Sequence, residues 1–310
     1  MQFVLNKLLM KKALLCLIAC VLCCASCVQP SSSPITEPMN AVYYWRTVFT
    51  LDSTEQAFLV SNNIRRIYCR YFDVVLDAEQ GPMPNATISF ASEMPDSIEI
   101  VPTVFIMNDC MQEAQLERTR KNSNEVGLAR LIVERILQMN ETHDILHVRE
   151  LQIDCDYTAR NRTLYYRFLD EVRREARQRG LALSVTVRLH QLSMPAPPAD
   201  YGVLMLYNTG DPARYAERNP ILDIRDVQPY LRYLRGYALP MGAAYPVFLW
   251  QRDIHGAFIE HVAEYDDILR TKQLVEAERS DLRQLILTYH LDTENIKRYT
   301  PTQYETIYHH

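Results

Sequence analysis

Eight short apolar segments, separated by longer amphipathic or polar stretches, constrain the fold of this 310-residue chain more than any other feature. Their β-branched and aromatic residues are typical of strands, and several of the stretches between them carry apolar residues at helical spacing. The predicted strands lie at residues 41–49, 66–74, 98–106, 148–158, 181–190, 201–208, 244–250 and 285–290. Strands that alternate with helices in this number predict an α/β fold, a single (β/α)8 TIM barrel.

The segments between the strands are consistent with that fold. A helix is predicted to start at Asp52, because the run Asp-Ser-Thr-Glu is typical of a helix N-terminus. Further helices are predicted at residues 125–139, 163–179, 226–237 and 302–308, with weaker helical signals at 257–283, and a loop is predicted at 77–96. A doubly wound open sheet is the alternative, but such a sheet usually carries a phosphate-binding loop, and the chain has neither GxGxxG nor GxxxxGK[ST].

The N-terminus is organised as a targeting segment. Lys7, Lys11 and Lys12 precede an apolar run at residues 13–25, which has the length of a signal peptide and is too short to cross a bilayer as a helix. The run ends in Ala-Ser-Cys at residue 27 and is followed by a Ser/Pro-rich stretch, an arrangement that resembles a bacterial lipoprotein signal. The predicted organisation is a lipoprotein signal peptide at 1–26, a Ser/Pro tether at 27–40 and a barrel domain at 41–310.

The signal predicts where the mature protein resides. With Cys27 as the lipid-bearing residue, the chain would be anchored to a membrane of the bacterial cell envelope through its N-terminal lipid. Cys20 also fits the pattern of a lipidated cysteine, although it leaves a shorter apolar run. An ordinary cleaved signal or a buried helix are the remaining alternatives.

Charge and cysteine content narrow the classes of partner. The chain has 33 Lys and Arg against 38 Asp and Glu, so loss of the three Lys of residues 1–26 leaves 30 basic residues and a net charge of −8. A nucleic-acid partner needs a basic surface, and none is predicted. Cys69, Cys110 and Cys155 lie outside the signal without CxxC spacing, and no HxH or HExxH occurs, so neither a metal site nor a cofactor is predicted.

Two carboxylates, Asp154 and Asp156, end the predicted fourth strand directly after Leu151 and Ile153. Residues two apart on a strand point to the same side, so both carboxylates are expected on one face. Carboxylates are rarely buried unless they are paired or functional, which makes this pair the predicted catalytic centre. The alternative is structural, with two acids that cap the next helix or hold an arginine such as Arg188.

Polar and aromatic residues follow nearly every predicted strand, and in a (β/α)8 barrel the chemistry lies at the C-terminal ends of the strands. Acids, arginines, amides and aromatic rings together suit a sugar cleft, which needs hydrogen bonds to hydroxyls and flat faces for pyranose rings. An oligosaccharide or polysaccharide is therefore the predicted ligand. The predicted substrate-binding residues are Tyr44, Arg46, Arg70, Asp73, Asn108, Arg188, Gln191, Tyr207, Asn208, Trp250 and His290.

Two of these motifs resemble a known family. The order Asp-x-Asp at residues 154–156, after an apolar strand, resembles the fourth-strand Asp-x-Asp-x-Glu signature of family-18 (chitinase-like) glycoside hydrolases. Residues 205–208 are similar to their sixth-strand Met-x-Tyr-Asp, and Trp250 to their floor tryptophan. A broader resemblance, to uncharacterised bacterial lipoproteins with a glycoside-hydrolase-like barrel, extends over most of residues 41–308 and is carried by residues 43–47, 70–74 and 289–292. The first resemblance implies a barrel that binds or cleaves glycans.

The chain departs from the family-18 signature at two positions. Thr158 stands where the signature has its Glu general acid, and Asn208 replaces the sixth-strand Asp. A threonine cannot protonate a leaving glycosidic oxygen, and the chitinase mechanism depends on that acid, so the mechanism is not carried over to this chain.

Three hypotheses remain. The first is an enzyme that acts on glycosidic bonds with Asp154 and Asp156 as acid and charge stabiliser. Its second carboxylate would come from Asp73, Asp109 or Asp292. The second hypothesis is a catalytically degenerate barrel that binds glycan without cleaving it. The third is a structural envelope lipoprotein whose strand-end residues form only an ion network.

Overall fold

The computed structural model describes residue 35, residues 37–254 and residues 257–310. Within them, eight parallel strands form a closed barrel, because each strand pairs with the next and the eighth pairs with the first. The barrel strands are β1 (Met39–Tyr44), β2 (Ile64–Asp77), β3 (Glu99–Ile106), β4 (Glu150–Asp154), β5 (Ala182–Val187), β6 (Tyr201–Met205), β7 (Met241–Pro246) and β8 (Leu285–Tyr289). The predicted single (β/α)8 TIM barrel is confirmed.

Helices connect most of the strands. The α-helices are α1 (Ser53–Ser61), α2 (Glu113–Asn122), α3 (Leu128–Thr142), α4 (Arg162–Arg177), α5 (Ile224–Val227), α6 (Leu231–Leu234), α7 (Tyr265–Glu278), α8 (Thr293–Ile296) and α9 (Pro301–Ile307). Short 3-10 helices lie at Asn108–Cys110, Leu189–Ser193, Pro212–Arg214, Gln228–Tyr230 and Ser280–Gln284.

Local sequence explains where the helices begin and which face they bury. The Asp52 carboxylate accepts the Glu55 N–H at 2.9 Å and the Glu55 carboxylate accepts the Asp52 N–H at 3.0 Å, a capping box that starts α1 at the predicted place. In α4, Tyr165, Phe168 and Leu169 fall on one face and are buried, as their spacing predicted.

Residues 77–96 are not the simple loop that the sequence predicted. Gly81–Asn85 forms a strand antiparallel to the last part of β2, and Ser89–Phe90 pairs with Val48–Phe49. The prediction was wrong because prolines argue against a strand, yet an edge strand tolerates a residue that lacks an N–H donor. As a result, β2 extends past the barrel as one arm of a hairpin.

The chain after β7 also differs from the prediction. β7 ends at Pro246, and Leu249–Ile254 pairs antiparallel with Ala257–Val262 in a separate hairpin. The helical signal expected from residue 257 was therefore wrong for the first residues, and α7 begins only at Tyr265. Helix α2 was not predicted at all.

The N-terminal predictions fall mostly outside the described residues. The predicted signal peptide at 1–26, the predicted lipid-bearing Cys27, and residues 28–34 and 36 of the predicted tether are outside the described residues. Met39 and Asn40, assigned to the tether from sequence, are the first residues of β1. Among the residues that the structure does describe, no helix combines the length and apolarity needed to cross a membrane.

Candidate functional site

The two carboxylates at the end of β4 meet one arginine. Asp154 ends the strand and is 2% exposed, and its Oδ1 accepts hydrogen bonds from Thr186 Oγ1 at 2.6 Å and from Arg188 Nη2 at 3.3 Å. Arg188 Nε donates to Asp156 Oδ1, and the Asp156 side chain is 54% exposed. Arg188 thus bridges a buried and an exposed carboxylate.

Alternation along β4 also explains why Asp154 is buried. Gln152, two residues earlier, lies inside the barrel, where its Oε1 accepts the Tyr43 hydroxyl of β1 at 2.9 Å. Asp154 therefore lies directly above Gln152 at the C-terminal mouth of the barrel. Thr186 lies on the neighbouring strand β5, and Arg188 directly follows that strand two residues later, so both side chains reach Asp154.

Burial controls the electrostatics of this group. Burial raises the pKa of the Asp154 carboxyl; the Arg188 charge lowers it and the Asp156 charge raises it again. Burial alone would lower the pKa of Arg188, but the charges of Asp154 and Asp156 outweigh it and hold that pKa above the usual value. Arg188 is therefore a permanent cation, and its charge opposes the rise in the pKa of Asp154 that burial causes.

Aromatic rings form a surface beside the carboxylates, which we call the aromatic floor. Tyr289 stacks on Tyr207 with ring centroids 4.5 Å apart, Trp45 lies 5.8 Å from Tyr289, and Phe248 lies between Tyr289 at 5.5 Å and Trp250 at 6.2 Å. Tyr207 and Phe248 are buried, whereas Trp45, Trp250 and Tyr289 are partly exposed. The floor consists of Trp45, Tyr207, Phe248, Trp250 and Tyr289.

Two ion-paired arginines adjoin this floor. The Arg188 guanidinium lies 6.0 Å from the Tyr207 ring centroid. The Arg70 guanidinium lies 5.7 Å from the Trp45 ring and donates to both carboxylate oxygens of Asp73, with Nε–Oδ1 at 2.7 Å. Each arginine is thus fixed by carboxylates next to a flat aromatic surface, the geometry of a cation–π contact.

Backbone-binding side chains hold the parts of the site in place. Gln191 is fully buried, donates from Nε2 to the carbonyls of Cys155 at 3.2 Å and Tyr157 at 3.1 Å, and accepts the Arg188 N–H at 2.9 Å. It therefore fixes the turn that carries Asp156. The Tyr215 hydroxyl donates to the carbonyl of Trp250 at 2.8 Å and so ties the hairpin that carries that tryptophan.

Several residues predicted to bind substrate have other contacts. The Tyr44 hydroxyl donates to the Val48 carbonyl at 2.7 Å, and Arg46 donates to Glu55 at 2.8 Å, so both hold the loop between β1 and α1. Asn108 accepts a hydrogen bond from Asn161 on the rim.

The remaining candidates lie at strand ends. Asn208 is exposed and has a positive φ of 53°, and it directly follows Tyr207 of the floor. His290 is partly exposed, and burial lowers its pKa, which favours the neutral imidazole. Asp292 caps α8 by accepting the Glu294 N–H at 2.9 Å.

Thr158 lies at the outer rim. It is exposed, and its N–H donates to Asn161 Oδ1 at 2.9 Å. Its hydroxyl has no acidity to offer a leaving group, so Thr158 contributes a loop hydrogen bond here and no general acid.

Sequence reasoning did not assign Trp45, Thr186, Phe248 or Tyr289 to the site. Trp45 and Tyr289 follow or end strands β1 and β8, and these strands become neighbours only when the barrel closes. Thr186 on β5 could have been found by alternation, because it lies two residues before Arg188, the first residue after that strand.

Metal ligation has no support among the described residues, since no three His, Cys, Asp or Glu side chains come together in a way that could hold an ion. A cavity of about 940 Å³ lies at the opposite, N-terminal end of the barrel. There Arg66 pairs with Glu150 and with Glu99, each at 2.8 Å. Residues at that end of a barrel normally serve stability.

No family model and no curated protein sequence matches this chain. Solved structures are similar to it over most of its length. The spore cortex-lytic enzyme SleL of Bacillus megaterium QM B1551 has 10% sequence identity and a TM-score of 0.55, over 89% of this chain and 74% of that chain. The chitinase-like agglutinin of Robinia pseudoacacia has 11% identity and a TM-score of 0.54, over 86% and 98%.

A chitinase of Chromobacterium violaceum ATCC 12472 is also similar, with 13% identity and a TM-score of 0.51, over 84% of this chain and 98% of that chain. At such identities the similarity is one of fold. The barrel is therefore similar in fold to these chitinase-like proteins, as the resemblance found in the sequence predicted, and the chemistry of the site has to be argued from its own residues.

Proposed function

We propose that the C-terminal face of this barrel binds carbohydrate. The observation that carries the proposal is the aromatic floor, bordered by the Arg70–Asp73 pair and by Arg188 with its two carboxylates. Partly exposed Trp45, Trp250 and Tyr289 offer faces for the C–H surfaces of pyranose rings. Guanidinium and carboxylate groups beside them supply donors and acceptors for hydroxyls.

Binding without cleavage fits the contacts best. Glycoside hydrolysis needs a carboxylic acid beside the scissile oxygen. Thr158 cannot supply it, and the buried Asp154 is enclosed by Thr186 and Arg188. One of the similar structures is the chitinase-like agglutinin of Robinia pseudoacacia. A similar fold therefore occurs in a protein that is named an agglutinin.

Cleavage of glycosidic bonds is the second candidate. It is favoured by Asp156, whose carboxylate is 54% exposed next to Arg188 at the mouth of the barrel. In that case Asp156 would act as the general acid. Asp154, whose pKa is raised by burial, would determine by its own protonation the total charge of the two carboxylates.

We also propose a location. The sequence of residues 1–27 resembles a bacterial lipoprotein signal with Cys27 as the lipidated residue, and such a lipid would tether the barrel to a membrane of the bacterial cell envelope. Metabolic labelling with an alkyne-bearing fatty acid tests this in a bacterial host. Label on the wild type that is lost in Cys27→Ser supports it, and equal label on both excludes Cys27.

The binding proposal is tested with oligomers of one to six β-1,4-linked N-acetylglucosamine units, chosen because of the chitinase-like neighbours, and with cello-, xylo- and manno-oligosaccharides. Calorimetry measures affinity, and a reducing-end assay measures cleavage. Trp45→Ala should weaken binding about two- to twelvefold, since aromatic contacts contribute about 0.5–1.5 kcal/mol. Tyr233→Ala, a partly exposed aromatic on α6, is the control and should bind normally.

The outcomes separate the candidates. Binding without release of new reducing ends supports carbohydrate binding without cleavage. Reducing ends from the wild type that disappear in Asp156→Asn support the enzyme. No binding and no cleavage with any oligosaccharide would refute both.

A further inference from the structure

The cavity at the N-terminal end of the barrel, opposite the aromatic floor, has the size of a ligand site. Its volume of about 940 Å³ is at the upper end of the range of about 300–1,000 Å³ that is usual for small-molecule sites. It lies between the segments that lead into β3 and β4 and is bordered by the starts of β1 and β2. The chain between β2 and β3, residues 78–98, is described throughout and contains no helix. An extended segment therefore borders the cavity where a barrel usually has a helix.

One carboxylate oxygen in the lining is buried and lacks a hydrogen-bond donor. Arg66 donates to Glu99 Oε2 and to Glu150 Oε2, each at 2.8 Å. The Tyr68 hydroxyl donates to Glu150 Oε1 at 3.2 Å, so both oxygens of Glu150 have a donor. Glu99 Oε1, by contrast, is buried and accepts no hydrogen bond from any described residue. A buried acceptor without a donor is costly, so Glu99 favours a ligand that donates to it.

The lining also carries an excess of negative charge. Four exposed carboxylates in it make no hydrogen bond or ion pair with another described residue, namely Glu37, Glu93, Asp96 and Asp144. Glu99 and Glu150 bring the carboxylates of the lining to six, and its arginines are Arg65, Arg66 and Arg149. The formal net charge of the lining is therefore −3 with its two histidines neutral. A cavity with one prevailing sign of charge concentrates ions of the opposite sign.

The acidic side chains are spread out, and apolar side chains lie among them. In the described part of the chain, no three His, Cys, Asp or Glu side chains come together as they would around a metal ion. Met39, Met94 and Ile98 are partly exposed in the lining, and Leu146 is 71% exposed. A ligand that fits this lining therefore has separate positive charges joined by apolar segments.

We propose that this cavity binds a linear aliphatic polyamine, at a site separate from the carbohydrate-binding face. The ammonium groups of such a ligand donate to Glu99 Oε1 and to the unpaired carboxylates of the rim. Its methylene segments pack on Met94, Ile98 and Leu146. A single metal ion does not match carboxylates that are spread out, and the negative charge of the lining disfavours an anion.

Calorimetric titrations with spermine test the site. Spermine should bind the wild type with a Kd below about 1 mM at low salt, and its affinity should fall as sodium chloride is raised from about 50 mM to about 500 mM. The diamine 1,8-diaminooctane should bind more weakly than spermine, and its neutral counterpart 1,8-octanediol should not bind. Tryptophan emission should stay unchanged, because Trp45 and Trp250 both belong to the aromatic floor at the other end of the barrel.

Paired variants localise the binding. Glu93→Gln with Asp144→Asn removes two unpaired carboxylates of the rim and should weaken spermine binding about threefold or more. Glu305→Gln with Asp170→Asn removes two exposed carboxylates that lie outside the cavity, and this matched control should bind spermine as the wild type does. Glu99→Gln should also weaken binding, and the rim variants keep the test valid if this change destabilises the fold.

Four results would overturn the inference. Spermine could fail to bind at concentrations up to about 10 mM. Equal affinity of the two double variants for spermine would show only a general attraction to an acidic protein. Trilysine that binds more tightly than spermine would assign the cavity to a basic peptide instead. A change in tryptophan emission that follows spermine binding would place the amine on the aromatic floor.

Discussion

Replacing Arg188 by methionine tests the charge arrangement at the mouth of the barrel. Asp154 is 2% exposed and has Arg188 as its cationic partner, so Arg188→Met leaves a buried carboxylate without a counter-charge. Breaking a buried ion pair from one side costs about 3–5 kcal/mol. The contact of Arg188 with Asp156 adds little, because the Asp156 side chain is 54% exposed and exposed pairs contribute about 0–1 kcal/mol. We therefore expect a loss of about 3–5 kcal/mol in the free energy of unfolding at pH 7.

The same change should make stability more dependent on pH. Burial raises the pKa of Asp154, so the folded state holds this proton more tightly than the unfolded chain. The stability that Asp154 contributes is complete below its unfolded pKa and is lost as the pH rises through the folded value. Removal of Arg188 takes away the main interaction that lowers the pKa of Asp154 in the folded state. The loss in Arg188→Met should therefore be smaller at pH 5 than at pH 7.

Urea unfolding measured by circular dichroism and by fluorescence at both pH values gives these quantities, provided the two transitions coincide. Asp154→Asn in the Arg188→Met background should recover most of the loss, because the buried charge is then absent. Arg167→Met, which breaks an exposed pair, is the control and should change stability little. A loss below about 1 kcal/mol at pH 7, equal at pH 5, would refute the dependence of Asp154 on Arg188.

Three further changes test other parts of the account. Gln191→Leu removes a buried amide that holds three backbone groups, so it should lower the free energy of unfolding by about 2–4 kcal/mol in urea titrations and weaken oligosaccharide binding. The Tyr207 hydroxyl is buried without a hydrogen-bond partner among the described side chains, so Tyr207→Phe should change stability by less than about 1 kcal/mol; a loss above about 2 kcal/mol would contradict this. Arg66→Leu leaves Glu150 buried and unpaired at the far end of the barrel, so it should cost about 3–5 kcal/mol, while calorimetry should find sugar affinity unchanged in the folded fraction.

The barrel could be predicted from the sequence because each of its strands is a separate apolar run and the runs alternate with helices. Alternation within a strand also predicted that Asp154 and Asp156 share a side. What the sequence did not reveal depends on distant contacts. Trp45 and Tyr289 become part of one floor only when β8 pairs with β1.

The two hairpins show a different limit. The strand Gly81–Asn85 contains two prolines, and it exists because β2 offers it an edge to pair with. The pair formed by Leu249–Ile254 and Ala257–Val262 mixes charged and apolar residues, so a short helical signal and a strand signal were hard to separate there. The bridging role of Arg188 depends on the distances between two neighbouring strand ends, which composition and spacing do not specify.

The fluorescence of the two tryptophans tests the central claim most directly. Trp45 and Trp250 are the only tryptophans in the 310-residue sequence, and both belong to the aromatic floor. Titration of the wild type with the hexamer of N-acetylglucosamine should give a saturable change in tryptophan emission and protection from acrylamide quenching, with the same affinity that calorimetry measures. Calorimetric binding with no change in tryptophan emission or quenching would place the sugar elsewhere and contradict the account.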